Sequence, residues 1–141
     1  MKTILVPTDF SEFANNALDF AYGIAKKSGA SIKLINVIEA PSGSTFSTMG
    51  EITAPDEADQ VFVMKVMERN RKKIQDIVDD NKYNDINIYG NVLVGNPFKS
   101  ISSEISEQEV DLVVMGTHGA SGVEEVFVGS NTEKVVRRAH C

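Results

Sequence analysis

The sequence predicts an α/β fold in which a doubly wound parallel sheet carries helices on both faces. Short apolar runs rich in β-branched residues alternate along the chain with longer segments whose apolar residues recur at helical spacing. The resulting order, β-α-β-α-β-α-β-α, is typical of parallel strands joined by helical crossovers. Three of the runs are almost wholly apolar, as expected of strands covered on both faces. Right-handed crossovers favour a doubly wound sheet, whose ligands bind beyond the carboxyl ends of the strands.

The first half of the chain contains two predicted strands with one helix between them. A continuous apolar run predicts the first strand at Thr3–Pro7. The helix begins after Ser11, a good N-cap, and is closed by Gly29. Its predicted buried stripe consists of Phe13, Ala17, Leu18, Ala21, Ile24 and Ala25. The second strand is predicted at residues 31–39, and the Ser-, Thr-, Gly- and Pro-rich segment 40–59 is typical of a mobile lid or a disordered insertion.

The second half of the chain contains three predicted helices and two further strands. One helix is predicted from about residue 57 to residue 80, with an apolar stripe opposite a strongly charged face. A strand at residues 86–95 leads into a helix that begins at Pro97, where the missing N–H of proline is not needed. A buried strand at residues 110–116 and a helix at residues 131–139 complete the pattern. A parallel sheet of this kind normally closes with one more strand, so either four strands suffice or a fifth belongs to a longer protein.

Length and composition indicate one domain, spanning residues 1–141. The chain has 14 basic and 20 acidic residues and a net charge of −6, which argues against general affinity for nucleic acid or an anionic membrane. Its N-terminus resembles neither a signal peptide nor a membrane span. Because the only cysteine is Cys141, no internal disulfide can form, and we expect a cytoplasmic protein. The only histidines are His118 and His140, so we expect no metal cluster.

A glycine-rich stretch, GTHGASGVEEVFVGSNTEK, follows the fourth strand and begins at Gly116. Gly119 lies three positions later, and Gly129 precedes Ser130, which we predict to cap the last helix in a capping box with Glu133. Unsatisfied N–H groups and a partial positive charge at a helix start favour an anionic phosphate. Glycines and caps also serve ordinary turns, and the spacing matches neither the P-loop nor the dinucleotide fingerprint. Spacing alone therefore leaves a phosphate site and a simple turn both open.

Taken together, these segments resemble the universal stress protein family over nearly the whole chain. The nucleotide-binding branch of that family carries G-x2-G-x9-G-[ST] after its fourth strand, and Gly116, Gly119, Gly129 and Ser130 match this pattern without a gap. The opening ILVPTDFSEFANNAL, which includes Asp9, is similar to the family's first strand and helix start. LINVIE and VGNP are similar to its second strand and to the exit of its third. The resemblance implies an ATP-binding fold with a flavodoxin-like strand order, usually 3-2-1-4-5.

The resemblance also implies roles for individual residues. Asp9 would accept hydrogen bonds from the ribose hydroxyls. The adenine and ribose pocket would be lined by Pro7, Thr8 and Val37, with Met115 near the base. The phosphate loop would be shaped by Gly116, His118 and Gly119, and the phosphates would be held through backbone and hydroxyl donors by Gly129, Ser130, Asn131 and Thr132. Mg²⁺ or Mn²⁺ would accompany the triphosphate, held mainly by phosphate oxygens.

Several of these residues also have a purely structural interpretation. Asp9 could cap the region where the first helix begins, and His118 could be an exposed loop residue. Val37 and Met115 would be core residues in any fold of this type, so their place in the pocket is implied by the resemblance alone.

The chain departs from the family pattern at three places. Asn36 stands where many members have histidine. Glu124 and Glu125 place two negative charges within the phosphate loop, and we expect them to face solvent. The terminal Pro-Val-Leu-Val-Val strand, which commonly pairs two subunits, does not follow Cys141. We therefore expect this chain to be a fragment, such as the first half of a tandem protein, and the full-length protein to form a homodimer or to pair two tandem domains.

Three functions are compatible with these observations. The first, which the glycine pattern favours, is an ATP-binding module that senses or stores nucleotide in a stress or signalling response. The second is a slow ATPase, for which His118 is the only candidate general base, since no paired carboxylates accompany the loop. The third is an interaction module that binds no nucleotide, as in the family branch without the glycine pattern; the intact pattern argues against it.

Overall fold

The protein is described by a computed structural model that covers residues 1–40, 45–46, 52–53, 56–119 and 129–141. Strands and helices alternate along these residues as the sequence predicts, apart from two additional two-residue strands. The elements are β1 (Thr3–Pro7), α1 (Glu12–Ser28), β2 (Ser31–Ile38), β3 (Thr45–Phe46), β4 (Ile52–Thr53), α2 (Glu57–Val78), β5 (Ile88–Val94), α3 (Pro97–Glu107), β6 (Leu112–Val113) and α4 (Ser130–Arg138). None of the helices in these ranges is long and apolar enough to cross a membrane.

The main sheet has the order β5-β2-β1-β6 with all neighbouring strands parallel, which confirms the first four positions of the expected 3-2-1-4-5 order. Four strands form this sheet within the described residues, and a fifth is not seen there. Successive residues of β1 point to opposite faces: Ile4 and Val6 pack with α1 and α2, whereas Leu5 packs with α3 and α4. Both faces of the sheet are therefore covered by helices, as predicted.

Helix α1 has the predicted caps at both ends. The Ser11 hydroxyl accepts a hydrogen bond from the Ala14 N–H at 3.3 Å, and Gly29 adopts the left-handed conformation with φ 73°. The prediction that Phe13 belongs to the buried stripe is wrong, because its side chain is 43% exposed. Phe13 lies in the first turn of the helix, beside the glycine-rich loop rather than over the sheet.

The strand predicted at residues 110–116 is shorter and less buried than expected. Only Leu112 and Val113 are assigned to β6, and both are half-buried. Backbone hydrogen bonds to β1 extend the pairing slightly, from the Asp111 N–H to Thr3 and from the Val114 N–H to Leu5. The lower burial follows from the position of β6 at the edge of the sheet.

The predicted capping box at the start of α4 is wrong. Gly129 is the N-cap residue, Ser130 is the first helical residue, and no side chain of the described residues caps the helix. Glu133 is then the fourth helical residue, one position past the one that a capping box requires. Its Oε1 instead accepts a hydrogen bond from Arg137 Nε at 2.9 Å, one turn further along. The first N–H groups of the helix are therefore left without side-chain caps.

The segment predicted to lack regular structure contains a short antiparallel pair, β3 with β4, in which Thr45 faces Thr53. The expected lid or insertion otherwise falls on residues 41–44, 47–51 and 54–55, which lie outside the described residues.

Gly90 in β5 allows α2 to approach the sheet closely, and replacing it should destabilise the protein. A Cβ at this position would lie 2.7 Å from Ile74 Cγ2 and 2.9 Å from the Leu34 carbonyl oxygen. We expect Gly90→Ala to lower the free energy of unfolding by about 1–3 kcal/mol through overpacking. Gly23→Ala is the matched control, since a Cβ there meets nothing within 4 Å and removal of a helical glycine should stabilise by about 0.5–1 kcal/mol. The measurement is urea unfolding of both variants. If the two substitutions changed the free energy of unfolding in the same direction, this account of the packing at Gly90 would be contradicted.

Hydrogen bonds to carboxylates predict a loss of stability in acid. The hydrogen bond from Lys82 is the main cause that lowers the pKa of Asp19, and the N–H groups of Lys2 and Thr3 lower the pKa of Asp111. A carboxyl group with a lowered folded-state pKa stabilises the fold above its unfolded pKa, near 4, and this stabilisation disappears as the pH falls through the folded pKa. We expect the melting temperature to fall below about pH 4. The fall should be shallower for Asp19→Asn; superimposable pH profiles, offset by a constant, would contradict this assignment.

Candidate functional site

Strand order brings the exits of β1, β2 and β6 to one edge of the sheet. β2 lies on one side of β1 and β6 lies on the other, so the strand order reverses its direction at β1. The crevice between β1 and β6 is therefore the topological switch point of the sheet. A cavity of about 280 Å³ opens there. All twelve residues singled out from the sequence line it: Pro7, Thr8, Asp9, Val37, Met115, Gly116, His118, Gly119, Gly129, Ser130, Asn131 and Thr132.

The β1 exit is held in place by hydrogen bonds to both Thr8 and Asp9. The Thr8 N–H donates to the Ile35 carbonyl at 2.8 Å, and the Thr8 hydroxyl accepts from the Phe10 N–H at 3.0 Å. Asp9 Oδ1 accepts from the Ser11 N–H at 3.0 Å, so Asp9 supports the start of α1 while its exposed carboxylate borders the cavity. Phe10 has φ 64°, a conformation that a bulky residue adopts at an energetic cost of about 1–2 kcal/mol. The backbone is therefore locally strained at the residue directly after Asp9.

Two glycines of the loop after β6 lie against the β1 exit and α1. A Cβ on Gly119 would lie 3.1 Å from Asp9 Oδ2, so the glycine loop and the Asp9 carboxylate are immediate neighbours. A Cβ on Gly116 would lie 3.0 Å from the backbone carbon of Phe13. Side chains at these positions would push the loop away from Asp9 and α1 and change the shape of the cavity.

The start of α4 presents N–H groups at the cavity. The Gly129 N–H donates to the Thr117 carbonyl at 2.7 Å, and the Thr132 hydroxyl donates to the Gly116 carbonyl at 2.8 Å. These two bonds join the helix start to the β6 exit. The first intrahelical bond runs from the Glu133 N–H to the Gly129 carbonyl at 3.0 Å, so the N–H groups of residues 130–132 precede the regular bonding of the helix. Together with the helix dipole, they form an electropositive wall suited to an anion.

His118 carries a buried nitrogen that lacks a partner among the described residues. Its Nδ1 lies 3.0 Å from the Thr117 hydroxyl, and its ring lies 5.1 Å from the ring of Phe13. The second ring nitrogen, Nε2, is shielded from water and has no hydrogen-bond partner in the described part of the chain. Because buried polar atoms are nearly always paired, this nitrogen is suited to form a hydrogen bond with a ligand bound in the cavity that His118 lines. The interpretation of His118 as an exposed loop residue is wrong, since its side chain is half-buried.

The apolar wall of the cavity includes four residues that sequence reasoning missed. They are Ala14, Ile35, Pro97 and Ile101. Strand alternation could have identified Ile35, which points to the same face of β2 as Val37. Pro97 follows the exit of β5, another carboxyl end of the sheet, where ligands are expected to bind, although no role in the cavity was predicted for this residue. Ile101 lies one helical turn further along α3. The expectation that Glu124 and Glu125 face solvent lies outside the described residues.

The cavity can accommodate a ligand with one apolar and one anionic part. Its wall combines aliphatic side chains with helix N–H groups, and a carboxylate able to accept hydrogen bonds lies at its border. Sites for small molecules and cofactors are commonly built in this way, with a mostly apolar wall and a few placed polar groups. Among the described residues, no group of three or more His, Cys, Asp or Glu side chains is placed to hold a metal ion.

Comparison with known proteins places this chain in a family. Residues 1–141 match the Universal stress protein family. The chain is 28% identical over 141 residues to Universal stress protein MJ0531 of Methanocaldococcus jannaschii, an alignment that covers 99% of this chain and 78% of that protein. It is 27% identical over 146 residues to Universal stress protein MJ0577 of the same organism, an alignment that covers 99% of this chain and 90% of that protein.

Solved structures share the fold. The structure of hypothetical protein MJ0577, determined for a structure-based assignment of its biochemical function, has a TM-score of 0.80 at 26% identity and covers 99% of this chain and 90% of its own. A universal stress protein in complex with cAMP has a TM-score of 0.58 at 22% identity, with 99% and 90% covered. Family match, sequence relatives and fold agree over the whole chain. The chain therefore belongs to the universal stress protein family.

Proposed function

We propose that this chain binds ATP, together with Mg²⁺ or Mn²⁺, and acts in the cytoplasm as a nucleotide-dependent module of a stress or signalling response. The observation that carries the proposal is the convergence of three groups on one cavity. These are the Asp9 carboxylate, the buried Nε2 of His118, which has no partner among the described residues, and the N–H groups at the start of α4. A nucleotide carries a partner for each of these groups in one molecule. Its ribose hydroxyls would pair with the carboxylate, a hydrogen-bonding acceptor with the His118 nitrogen, and its phosphates with the helix N–H groups.

Each part of the nucleotide has a counterpart in the cavity. The aliphatic wall formed by Ile35, Val37 and Met115 suits an adenine ring. Asp9, whose carboxylate lies beside Gly119, would accept hydrogen bonds from the ribose hydroxyls. The N–H groups of residues 130–132 would bind phosphate oxygens. The Thr132 hydroxyl already donates to the Gly116 carbonyl, so we assign the phosphate contact of this residue to its N–H group alone.

The metal ion would be bound mainly by phosphate oxygens, which provide the oxygen ligands that Mg²⁺ prefers. It would neutralise part of the negative charge of the triphosphate, which matters in a protein of net charge −6.

Thermal unfolding with a panel of nucleotides tests the proposal. Mg-ATP at about 100 times its dissociation constant should add about 2.7 kcal/mol of stability, which for a chain of this size raises the melting temperature by on the order of 8 °C. AMP and cAMP, with fewer phosphate charges, and GTP, with a different base, should give smaller shifts. Absence of any shift, after acid extraction has excluded prebound nucleotide, would contradict ATP binding and favour a nucleotide-independent interaction module.

We also propose that the β6 edge of the sheet pairs with a second universal stress domain. In a homodimer this partner is a second copy of the chain, and in a tandem protein it is the neighbouring domain. The support is that β6 lies at the edge of the sheet within the described residues and borders a groove of about 530 Å³, whose wall includes Leu112, Val114 and the 67% exposed Phe20. Exposed edge strands and apolar patches are usually covered in soluble proteins. Sedimentation equilibrium should give twice the chain mass, and less for Phe20→Glu; a wild-type monomer at all concentrations would contradict the homodimer.

A further inference from the structure

A chain of buried amide side chains connects α2 to the β1 exit. Asn36 Nδ2 donates to the Thr8 carbonyl at 2.8 Å, and Asn70 Nδ2 donates to Asn36 Oδ1 at 2.9 Å. Both side chains are almost completely buried, with 6% and 8% exposure. A carbonyl can only accept, so Asn36 must turn its NH₂ group to Thr8, and its oxygen then necessarily faces Asn70. The two bonds are therefore chemically fixed in one direction, from Asn70 through Asn36 to Thr8.

The Thr8 carbonyl belongs to the peptide group that carries Asp9. The same residue is held through its N–H by Ile35 and through its hydroxyl by Phe10. With the carbonyl bound by Asn36, the Thr8–Asp9 peptide plane has one orientation, which sets the direction in which the Asp9 side chain leaves the backbone. Packing alone would not require this arrangement, since burying amides is costly unless they are paired and an apolar pair would fill the same space. The two amide side chains therefore serve to orient the Thr8–Asp9 peptide group.

We propose that Asn70 and Asn36 are positioning residues that orient the Asp9 carboxylate for the ribose, so that Asn70, in α2, sets the discrimination of the site for ribose hydroxyls. The inference rests on the proposed nucleotide function. It extends that function to two residues outside the cavity wall and to a helix that contributes no side chain to that wall among the described residues. Asn70 touches no part of the cavity, so its effect on a ligand would pass through Asn36 and the Thr8 peptide.

The test compares the binding of Mg-ATP with that of 2′,3′-dideoxy-ATP, which lacks both ribose hydroxyls. A hydrogen bond to a charged carboxylate should give the wild type a preference of at least about tenfold for ATP. In Asn70→Leu we expect this preference to fall below about threefold, through weaker ATP binding, with dideoxy-ATP affinity unchanged. If Asn70→Leu does not fold, Asn70→Ser, whose hydroxyl is too short to reach Asn36 directly, should show the same direction of change.

Ile74→Val is the matched control, because Ile74 is buried on the same helix, one turn away, in the apolar cluster, and its side chain cannot hydrogen-bond to the amides. It should lower stability without changing the preference for ATP. An unchanged preference in both Asn70 variants, with wild-type discrimination intact, would overturn the positioning role and leave the proposed function standing. Binding of both nucleotides without discrimination by the wild type would overturn the role of Asp9 and of the amide chain. Failure of the wild type to bind either nucleotide would overturn the proposed function as well.

Discussion

Replacing Gly129 with aspartate should weaken Mg-ATP binding about 100-fold while leaving the nucleotide-free protein at least as stable as the wild type. Gly129 has φ −54° and ψ 142°, a conformation open to any residue, and a Cβ there would meet the Thr117 carbonyl oxygen only at 3.5 Å. The substitution is therefore sterically tolerated. Gly129 is also the N-cap of α4, a position where aspartate stabilises a helix slightly better than glycine does.

The two effects of Gly129→Asp have opposite signs, so loss of binding cannot be attributed to unfolding. The new carboxylate would accept hydrogen bonds from the first N–H groups of α4 and repel the phosphates that these groups are proposed to bind. Gly129→Asn has nearly the same shape and capping ability without the charge, and it should lose less than about tenfold in affinity. The measurement is calorimetric titration of both variants with Mg-ATP, alongside their melting temperatures. Wild-type affinity in Gly129→Asp would show that phosphate does not bind at this helix start.

Removing Glu104 should destabilise the protein by about 3 kcal/mol, more than removing its partner Lys33. Lys33 in β2 forms an ion pair of 2.5 Å with Glu104 in α3, and the two side chains are 7% and 15% exposed. Glu104→Leu leaves a buried ammonium group without a partner, whereas Lys33→Met leaves a carboxylate closer to the surface, which solvent can reach more easily. The asymmetry follows from the difference in burial.

The double variant Lys33→Met/Glu104→Leu is the control for this prediction. It removes both charges and keeps the apolar volume, so it should be nearly as stable as the wild type. Urea unfolding of the wild type, the two single variants and the double variant gives the coupling energy directly. If the losses of the two single variants simply added in the double variant, the pair would contribute nothing as a pair.

Most of the fold could be predicted because hydrophobic pattern and capping chemistry are local properties of the sequence. The apolar run of β1, the Ser11 and Gly29 caps of α1 and the proline start of α3 all lie where the sequence placed them. Two expectations failed for tertiary reasons. Burial of β6 depends on its place at the sheet edge, and the capping of α4 depends on where the helix begins, at Gly129, whose N–H is bonded to the Thr117 carbonyl.

The resemblance to a family predicted which residues line the cavity, but not the contacts that hold them. The glycine spacing and Asp9 were visible in the sequence. The hydrogen bond from Thr132 to the Gly116 carbonyl and the bond between Asn70 and Asn36 join residues 16 and 34 positions apart, and no local pattern indicates them. From the sequence alone, a polar residue at position 70 is expected on the charged face of α2. Its burial follows only from the packing of α2 against β2.

The most direct test of the account is two-dimensional NMR of the ¹⁵N-labelled, nucleotide-free chain titrated with Mg-ATP. We expect the largest amide shifts at Asp9, at Gly119 and at residues 130–132, because these groups border the cavity that is proposed to hold ribose and phosphates. The His118 ring nitrogens should shift with them, as Nε2 gains a partner. Shifts confined to other surfaces, or none at millimolar Mg-ATP, would contradict the claim that this cavity is a nucleotide site.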